Sequence, residues 1–360
     1  MLSVYVPLSE DMLLSLADEI VENIKWLGVD NILLLTKNTK GKVFYPSGIA
    51  PSRSTGLFEA IIDKAGDEGI EVNAWLCLFE EDMHDVNPIV KEHPDILLVN
   101  RYGKSNWEQP TWSDMDPKYS TFWVCPSSQV YLDYLGRIIE ELVRYKLRGI
   151  HMDYVRYPEA VEGRYYCYCH RCLRKFREQY GYKFPTREVI HIRYYVSILT
   201  ENVTNAVKAL SDKARAHGLH SSAYVFTDYV TAIEACYQDW PAFSRYLDYL
   251  IPTLYEVSPS HARRLVSRAV DVTPEGLPII PAVYANRMVR RAVKGTERWT
   301  TKRGADYIAE LAKASLEAGA KGIALFNYAT MFNQSLPMSL RKEDLVELRK
   351  KLAEIGLAQL

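Results

Sequence analysis

The chain has 360 residues, 48% of them hydrophobic, which suits one α/β barrel with insertions and is ample for a large core. Basic and acidic residues nearly balance, 44 against 45, and a net charge of −1 argues against a dedicated nucleic-acid binder. No apolar run approaches the roughly 18 residues that span a bilayer, and the first residues lack the basic region and cleavage site of a signal peptide, so the expectation is a cytoplasmic protein without a membrane partner.

Short apolar runs alternate with longer helical patterns, as parallel βαβ construction requires. A strand is predicted near 3–7, then a helix over 12–26 in which Leu13, Leu16, Ile20 and Ile24 recur at three-to-four spacing. Continuous apolarity marks the second strand, 31–36, as buried on both faces. A helix over 55–69 stops at Gly69. The third strand, 71–79, opens a long insertion over 80–125, and loops of this length in a compact domain usually carry function. Pro126, Ser127 and Ser128 cap a helix expected to turn Val130, Leu132, Leu135, Ile138, Ile139 and Leu142 inward. The fourth strand, 149–153, leads into a second insertion, 157–188, and a helix over 190–217. Further strands are placed at 221–226, 249–255, 277–284 and 322–328, and a charged amphipathic helix over 342–355 closes the chain. Eight strand–helix units in succession predict a single-domain (β/α)8 TIM barrel over 1–360, with long loops after strands 3, 4 and 7. Prolines inside strands six and seven run against ladder pairing. The runner-up, an open doubly wound sheet, is disfavoured because neither Gly-x-Gly-x-x-Gly nor a phosphate loop follows the first strand.

Catalytic groups of such barrels sit where strands end. The most specific string is Gly-Ile-His-Met-Asp-Tyr-Val-Arg-Tyr-Pro over 149–158. Asp153 leaves the strand with Arg156 three residues on, a cation that would hold the carboxylate ionised and oriented, as a nucleophile or transition-state stabiliser needs. A structural ion pair at the rim is the plainer alternative.

That string, with Val-Cys-Pro-Ser-Ser over 124–128 before a helix, resembles the glycosyl-hydrolase-like family ten of glycosidases. His93-Pro94-Asp95, the stretch Tyr-Gln-Asp-Trp over 237–240 and the stretch Asp-Tyr-Leu-Ile-Pro-Thr-Leu-Tyr over 248–255 are similar to other parts of that family. The resemblance covers about residues 1 to 340, and its Asp-Tyr-x-Arg-Tyr-Pro motif is its specific part. It implies a (β/α)8 barrel, O-glycosyl hydrolysis, and a distant likeness to barrels that cleave amino-sugar polymers. Many bacterial members carry a secretion signal, which is not seen here.

Glycoside hydrolysis ordinarily uses two carboxylates flanking the scissile bond. Asp153 is expected as nucleophile or stabilising base, and Glu256, leaving strand six, as the acid, with the reverse assignment open and Asp228 in reserve. Arg156, Tyr255, Asn327 and Tyr328 are candidate hydroxyl binders, and Trp75, Trp107, Trp112 and Trp123 offer stacking faces. His151 shares the face of Asp153 and could bond to it, or simply fill the core. No cofactor is expected for catalysis. Cys167, Cys169, Cys172 and His170 crowd into six residues with knuckle spacing and are candidates for a structural zinc, although the tetrahedron could need a more distant ligand. After strand seven, Arg287, Arg290, Arg291, Lys294, Arg298, Lys302 and Arg303 face a single Glu297, which suits an anionic saccharide or, more plainly, a solvated loop or a contact in a homo-oligomer. Two other readings differ in kind. A metal-dependent barrel hydrolase needs His-x-His near strand one, where Val4-Tyr5-Val6 offers none. A catalytically silent carbohydrate-binding barrel would keep the tryptophans and need no carboxylate pair.

Overall fold

The computed structural model describes residues 1–112, 120–159, 167–286, 288–293, 296–301 and 304–358, with backbone alone for 111–112, 120, 288–293 and 296–301. Eight parallel strands make the central sheet: β1 (Leu2–Val6), β2 (Asn31–Lys37), β3 (Glu71–Cys77), β4 (Gly149–Asp153), β5 (His220–Val225), β6 (Tyr249–Pro252), β7 (Ala282–Tyr284) and β8 (Ile323–Phe326). Their order is β7-β8-β1-β2-β3-β4-β5-β6. The ends meet through Leu250 N donating to Pro278 O (3.0 Å), Ile280 N to Leu250 O (2.9 Å) and Leu254 N to Ala282 O (2.7 Å), which closes the sheet into a barrel without free edges.

This closure explains how the prolines of strands six and seven are tolerated. Pro252 ends β6, while Pro278 and Pro281 precede the regular part of β7 and contribute carbonyls, Pro281 O accepting from Ala324 N at 2.9 Å. The regular strand is therefore shorter than the apolar run 277–284. The outer layer holds α1 (Leu16–Leu27), α2 (Leu57–Asp67), α3 (Gln129–Leu142), α4 (Val189–Ala216), α5 (Pro259–Val272), α6 (Gly304–Glu317) and α7 (Lys342–Glu354). Helix α1 starts later than its periodicity predicts, and Leu13 is solvent-exposed. Val130 also points outward at the start of α3, where Ser128 caps the helix by accepting from Tyr131 N. Leu135, Ile138, Ile139 and Leu142 face the sheet as expected.

Aromatic rings plug the barrel interior. The Tyr5 ring lies 4.9 Å from Trp75, 5.1 Å from Phe326 and 5.4 Å from the His151 ring. Both insertions carry structure of their own. In 80–125, the short strands Glu80–Asp82, Ser120–Trp123 and Thr111–Trp112 pair antiparallel in that order. The 157–188 insertion includes the helix His170–Tyr180, and an antiparallel ribbon, Met288–Val293 with Thr296–Thr301, follows β7.

The strand-end residues Lys37 and Glu81 form a fully buried ion pair at 3.0 Å. Lys37 Nζ also donates to Cys77 O (2.8 Å), and Glu81 accepts from Tyr131 and from Asn87 Nδ2 (3.2 Å). Gly41 is required here, since a Cβ on it would sit 1.8 Å from a Glu81 oxygen and its φ is +70°. The pair thus fastens β2 to the start of the first insertion and is architectural. Removing one partner strands a buried charge, so Glu81→Gln should lower the unfolding free energy by about 3 kcal/mol in urea titration, whereas Lys37→Met with Glu81→Leu should lose much less. Equal losses would mean that the pair is not isolated from water.

Candidate active site

Strand β4 is continuously buried, and its last residue, Asp153, emerges at the C-terminal mouth of the barrel. A cavity of about 490 Å³ opens there, lined among others by Trp75, Asp153, Arg156, Glu159, Tyr255 and Asn327. Both Asp153 oxygens are held: Oδ1 accepts from Tyr154 N at 2.7 Å and Oδ2 from Trp75 Nε1 at 2.9 Å. Tyr154 adopts φ +52°, a left-handed conformation costly for a tyrosine, and this turn brings its amide onto the neighbouring carboxylate.

Burial pushes the Asp153 carboxyl up from the ordinary 3.8 to about 6, against the opposing pull of the Trp75 and Tyr154 N–H donors and the Arg156 charge. This corrects the expectation from spacing. Arg156 acts on Asp153 in the anticipated direction, but desolvation outweighs it, so the carboxyl can hold or release a proton near pH 6. The guanidinium itself packs within 5.0–5.3 Å of the Tyr154, Trp123 and Phe226 rings and donates to Tyr157 O at 3.1 Å.

The aromatic wall is continuous. Tyr255 stacks on Tyr284 at 3.6 Å and accepts from the Tyr224 hydroxyl. Asn327, which caps the short helix Tyr328–Phe332, also lines the cavity. Gln238 fixes the strand-five end of the wall, accepting from Phe226 N (2.9 Å) and donating to Tyr224 O (3.2 Å).

Several sequence candidates lie elsewhere. Glu256 is exposed, takes φ +56° in the turn after β6, and does not line the cavity, because β6 ends at Pro252 and the chain has already turned outward. Asp228 caps the helix Tyr229–Cys236 through Val230 N and pairs with Arg268 at 3.2 Å, which spends its carboxylate on structure. His151 is wholly buried below the floor between Tyr5 (2.8 Å from Nε2) and Ser222 (2.9 Å from Nδ1), and burial lowers it to about 3, so it is a neutral core residue and bonds to neither substrate nor Asp153. Tyr328 accepts from Asn23 (3.0 Å) away from the cavity. Trp107 stacks on Phe122, and Trp123 is buried under Arg156; of the four tryptophans, Trp75 alone has a described place on the cavity. The Trp112 side chain lies outside the described residues, as do Arg287, Lys294, Lys302 and Arg303 and the side chains of Arg290, Arg291 and Arg298.

Sequence reasoning missed Glu159. It lies six residues past the end of β4, at the start of the second insertion, and with Asp153 it supplies the carboxylates among the described lining residues. Its signal was its place directly after the Asp-Tyr-x-Arg-Tyr-Pro motif, which a rule confined to strand ends overlooks.

Of the groups that could hold a metal, Cys167, Cys169 and Cys172 do gather, but their fourth companion is Cys125. His170 is exposed on the first turn of the following helix and takes no part.

Residues 3–328 match the family described as "putative glycosyl hydrolase domain". The chain belongs to that family. The match bears out the resemblance to a glycosyl-hydrolase-like barrel family. No protein of curated function matches the sequence. Among solved structures, the fold is similar to α-L-fucosidase isoenzyme 2 from Paenibacillus thiaminolyticus, with a TM-score of 0.66 and 16% identity over 98% of this chain and 49% of that one. It is also similar to the PgaB (BpsB) glycoside hydrolase domain from Bordetella bronchiseptica, with a TM-score of 0.67 and 11% identity over 96% and 93% of the two chains. The catalytic domain of β-amylase from Paenibacillus polymyxa gives a TM-score of 0.66 and 12% identity over 100% and 99%. This chain spans about half the length of the fucosidase. At these identities the likeness establishes the TIM-barrel fold.

The raised Asp153 carboxyl carries a stability signature. The folded state binds its proton more tightly than the unfolded chain, so this contribution is fully present below about pH 4 and is lost as pH rises through about 6. Relative to Asp153→Asn, the wild-type protein should lose about 3 kcal/mol across that window, read from denaturant midpoints at several pH values. A pH-independent difference would mean that Asp153 titrates as an exposed carboxyl.

Proposed function

We propose that this protein hydrolyses O-glycosidic bonds of an oligo- or polysaccharide, with Asp153 delivering the proton to the leaving oxygen and Glu159 as the second carboxylate. The observation that carries this reading is a buried carboxyl of pKa about 6, held by two N–H donors on the floor of an aromatic-walled cavity. A carboxyl protonated near pH 6 can protonate a departing alkoxide, and a second carboxylate can attack the anomeric carbon or activate water. This reverses the roles first read from the strand ends, where Glu256 was to be the acid. Membership in a glycosyl hydrolase family and the fold shared with glycosidases support the chemistry. Tyr255 and Tyr284 offer ring faces for the apolar side of a pyranose, while Arg156 and Asn327 offer donors for hydroxyls. The basic ribbon after β7 supports an acidic saccharide as one substrate class.

Screening glycosides and oligosaccharides tests the assignment. Asp153→Asn should cut turnover by roughly 10³-fold while substrate still binds, Glu159→Gln by roughly 10²-fold or more, and Glu256→Gln should stay close to wild type. The wild-type kcat/KM should fall as pH rises through about 6, where Asp153 loses its proton. Undiminished turnover in Asp153→Asn would end the proposal, and saccharide binding without any turnover by the wild type would favour the silent binding barrel.

A further inference from the structure

The insertions that follow β3 and β4 meet at four buried cysteines. Cys125 ends the first insertion, just ahead of α3, and Cys167, Cys169 and Cys172 come from the second. Their four Sγ atoms all lie within 4.8 Å of one another, with Cys125 to Cys172 at 3.6 Å and Cys125 to Cys169 at 3.9 Å. These separations far exceed a disulfide bond of about 2 Å. They match the edge of a tetrahedron of thiolates around one ion, which a Zn–S bond of about 2.3 Å makes about 3.8 Å long.

The surroundings are those of thiolates. Cys167 Sγ accepts from Val99 N (3.3 Å) and from Cys169 N (3.4 Å), and Cys172 Sγ accepts from Asn202 Nδ2 (3.4 Å). Ser127 Oγ stands 3.0 Å from Cys125 Sγ, and the Tyr157 hydroxyl 3.6 Å from it. Donors aimed at sulfur orient ligands and stabilise their charge. Packing four thiols together in a dry interior has no comparable advantage, since each is a weak donor left beside three others like it.

We propose that Cys125, Cys167, Cys169 and Cys172 bind a single structural zinc ion. Binding releases the thiol protons to solvent, so affinity falls with acid. The ion staples one insertion to the other across a sequence separation of 47 residues between Cys125 and Cys172. Tyr157 links this staple to the cavity: its hydroxyl touches Cys125 and Cys172 and accepts from Asn202 Nδ2 at 3.2 Å, while its carbonyl accepts from the cavity-lining Arg156. The zinc therefore positions the cavity wall and does not touch substrate. The site stands whatever reaction the cavity performs.

The test is metal content of the full chain, expressed with zinc in the medium and purified without chelator. One zinc per chain is expected, and elemental analysis finding none, or iron in its place, overturns the proposal. Cys236→Ala should keep the zinc and Cys169→Ser should lose it. In case Cys169→Ser fails to fold, a mercurial titration of the wild-type protein gives a second readout, in which zinc appears in a chromogenic chelator in step with modification of four thiols. Zinc that stays bound after those thiols are blocked, or that survives in folded Cys169→Ser, overturns the assignment to this cluster. Zinc-depleted protein should also melt at a lower temperature and recover on adding zinc alone.

Discussion

Closure of the parallel sheet between β6 and β7 is the constraint on which the rest depends. Eight strands sharing one direction bring all their carboxyl ends to one mouth, so residues from distant parts of the sequence converge without any local instruction. The seam is held by few hydrogen bonds and accommodates Pro278, which donates nothing but accepts from Leu250 N through its carbonyl, while the Pro281 carbonyl serves the β7–β8 side by accepting from Ala324 N. Where an ordinary ladder is missing, the interior compensates with the aromatic plug around Tyr5, whose rings fill the barrel and form the bed on which Trp75 and Asp153 rest.

That bed sets the chemistry. A carboxyl raised on an apolar floor pays a desolvation cost, and here the cost leaves Asp153 able to exchange a proton near pH 6. The two N–H donors fix its plane without restoring the lost hydration. The strained backbone at Tyr154 serves the same geometry. By contrast, Lys37 and Glu81, equally buried, remain ion-paired, because each finds both a counter-charge and further hydrogen bonds.

The insertions add structure beyond the ends of β3 and β4. The first contributes a small antiparallel sheet and Cys125, the second contributes Glu159, the remaining cysteines and the helix that follows them. Their meeting point at the thiol cluster touches the Tyr157 hydroxyl, and the Tyr157 carbonyl in turn holds the cavity-lining Arg156.

Periodicity and strand-end position in the sequence determined the barrel, its eight strands, Asp153 and the crowding of three cysteines, because these depend on local pattern and on a rule that holds for every parallel barrel. Strand β4 even kept its predicted limits, since Gly149 and Asp153 bound an unbroken buried run. Tertiary structure alone decided which polar residues share the cavity. Glu256 and Asp228 sit near strand ends, yet a left-handed turn and a helix cap take them away, while Glu159 arrives from a loop whose path no periodicity encodes. Likewise Cys125, and not His170, joins the three clustered cysteines, because which side chains meet depends on where two insertions fold back on each other. The shift of Asp153 was beyond the sequence for the same reason: a neighbouring arginine can be counted along the chain, but loss of water is a property of the packed interior.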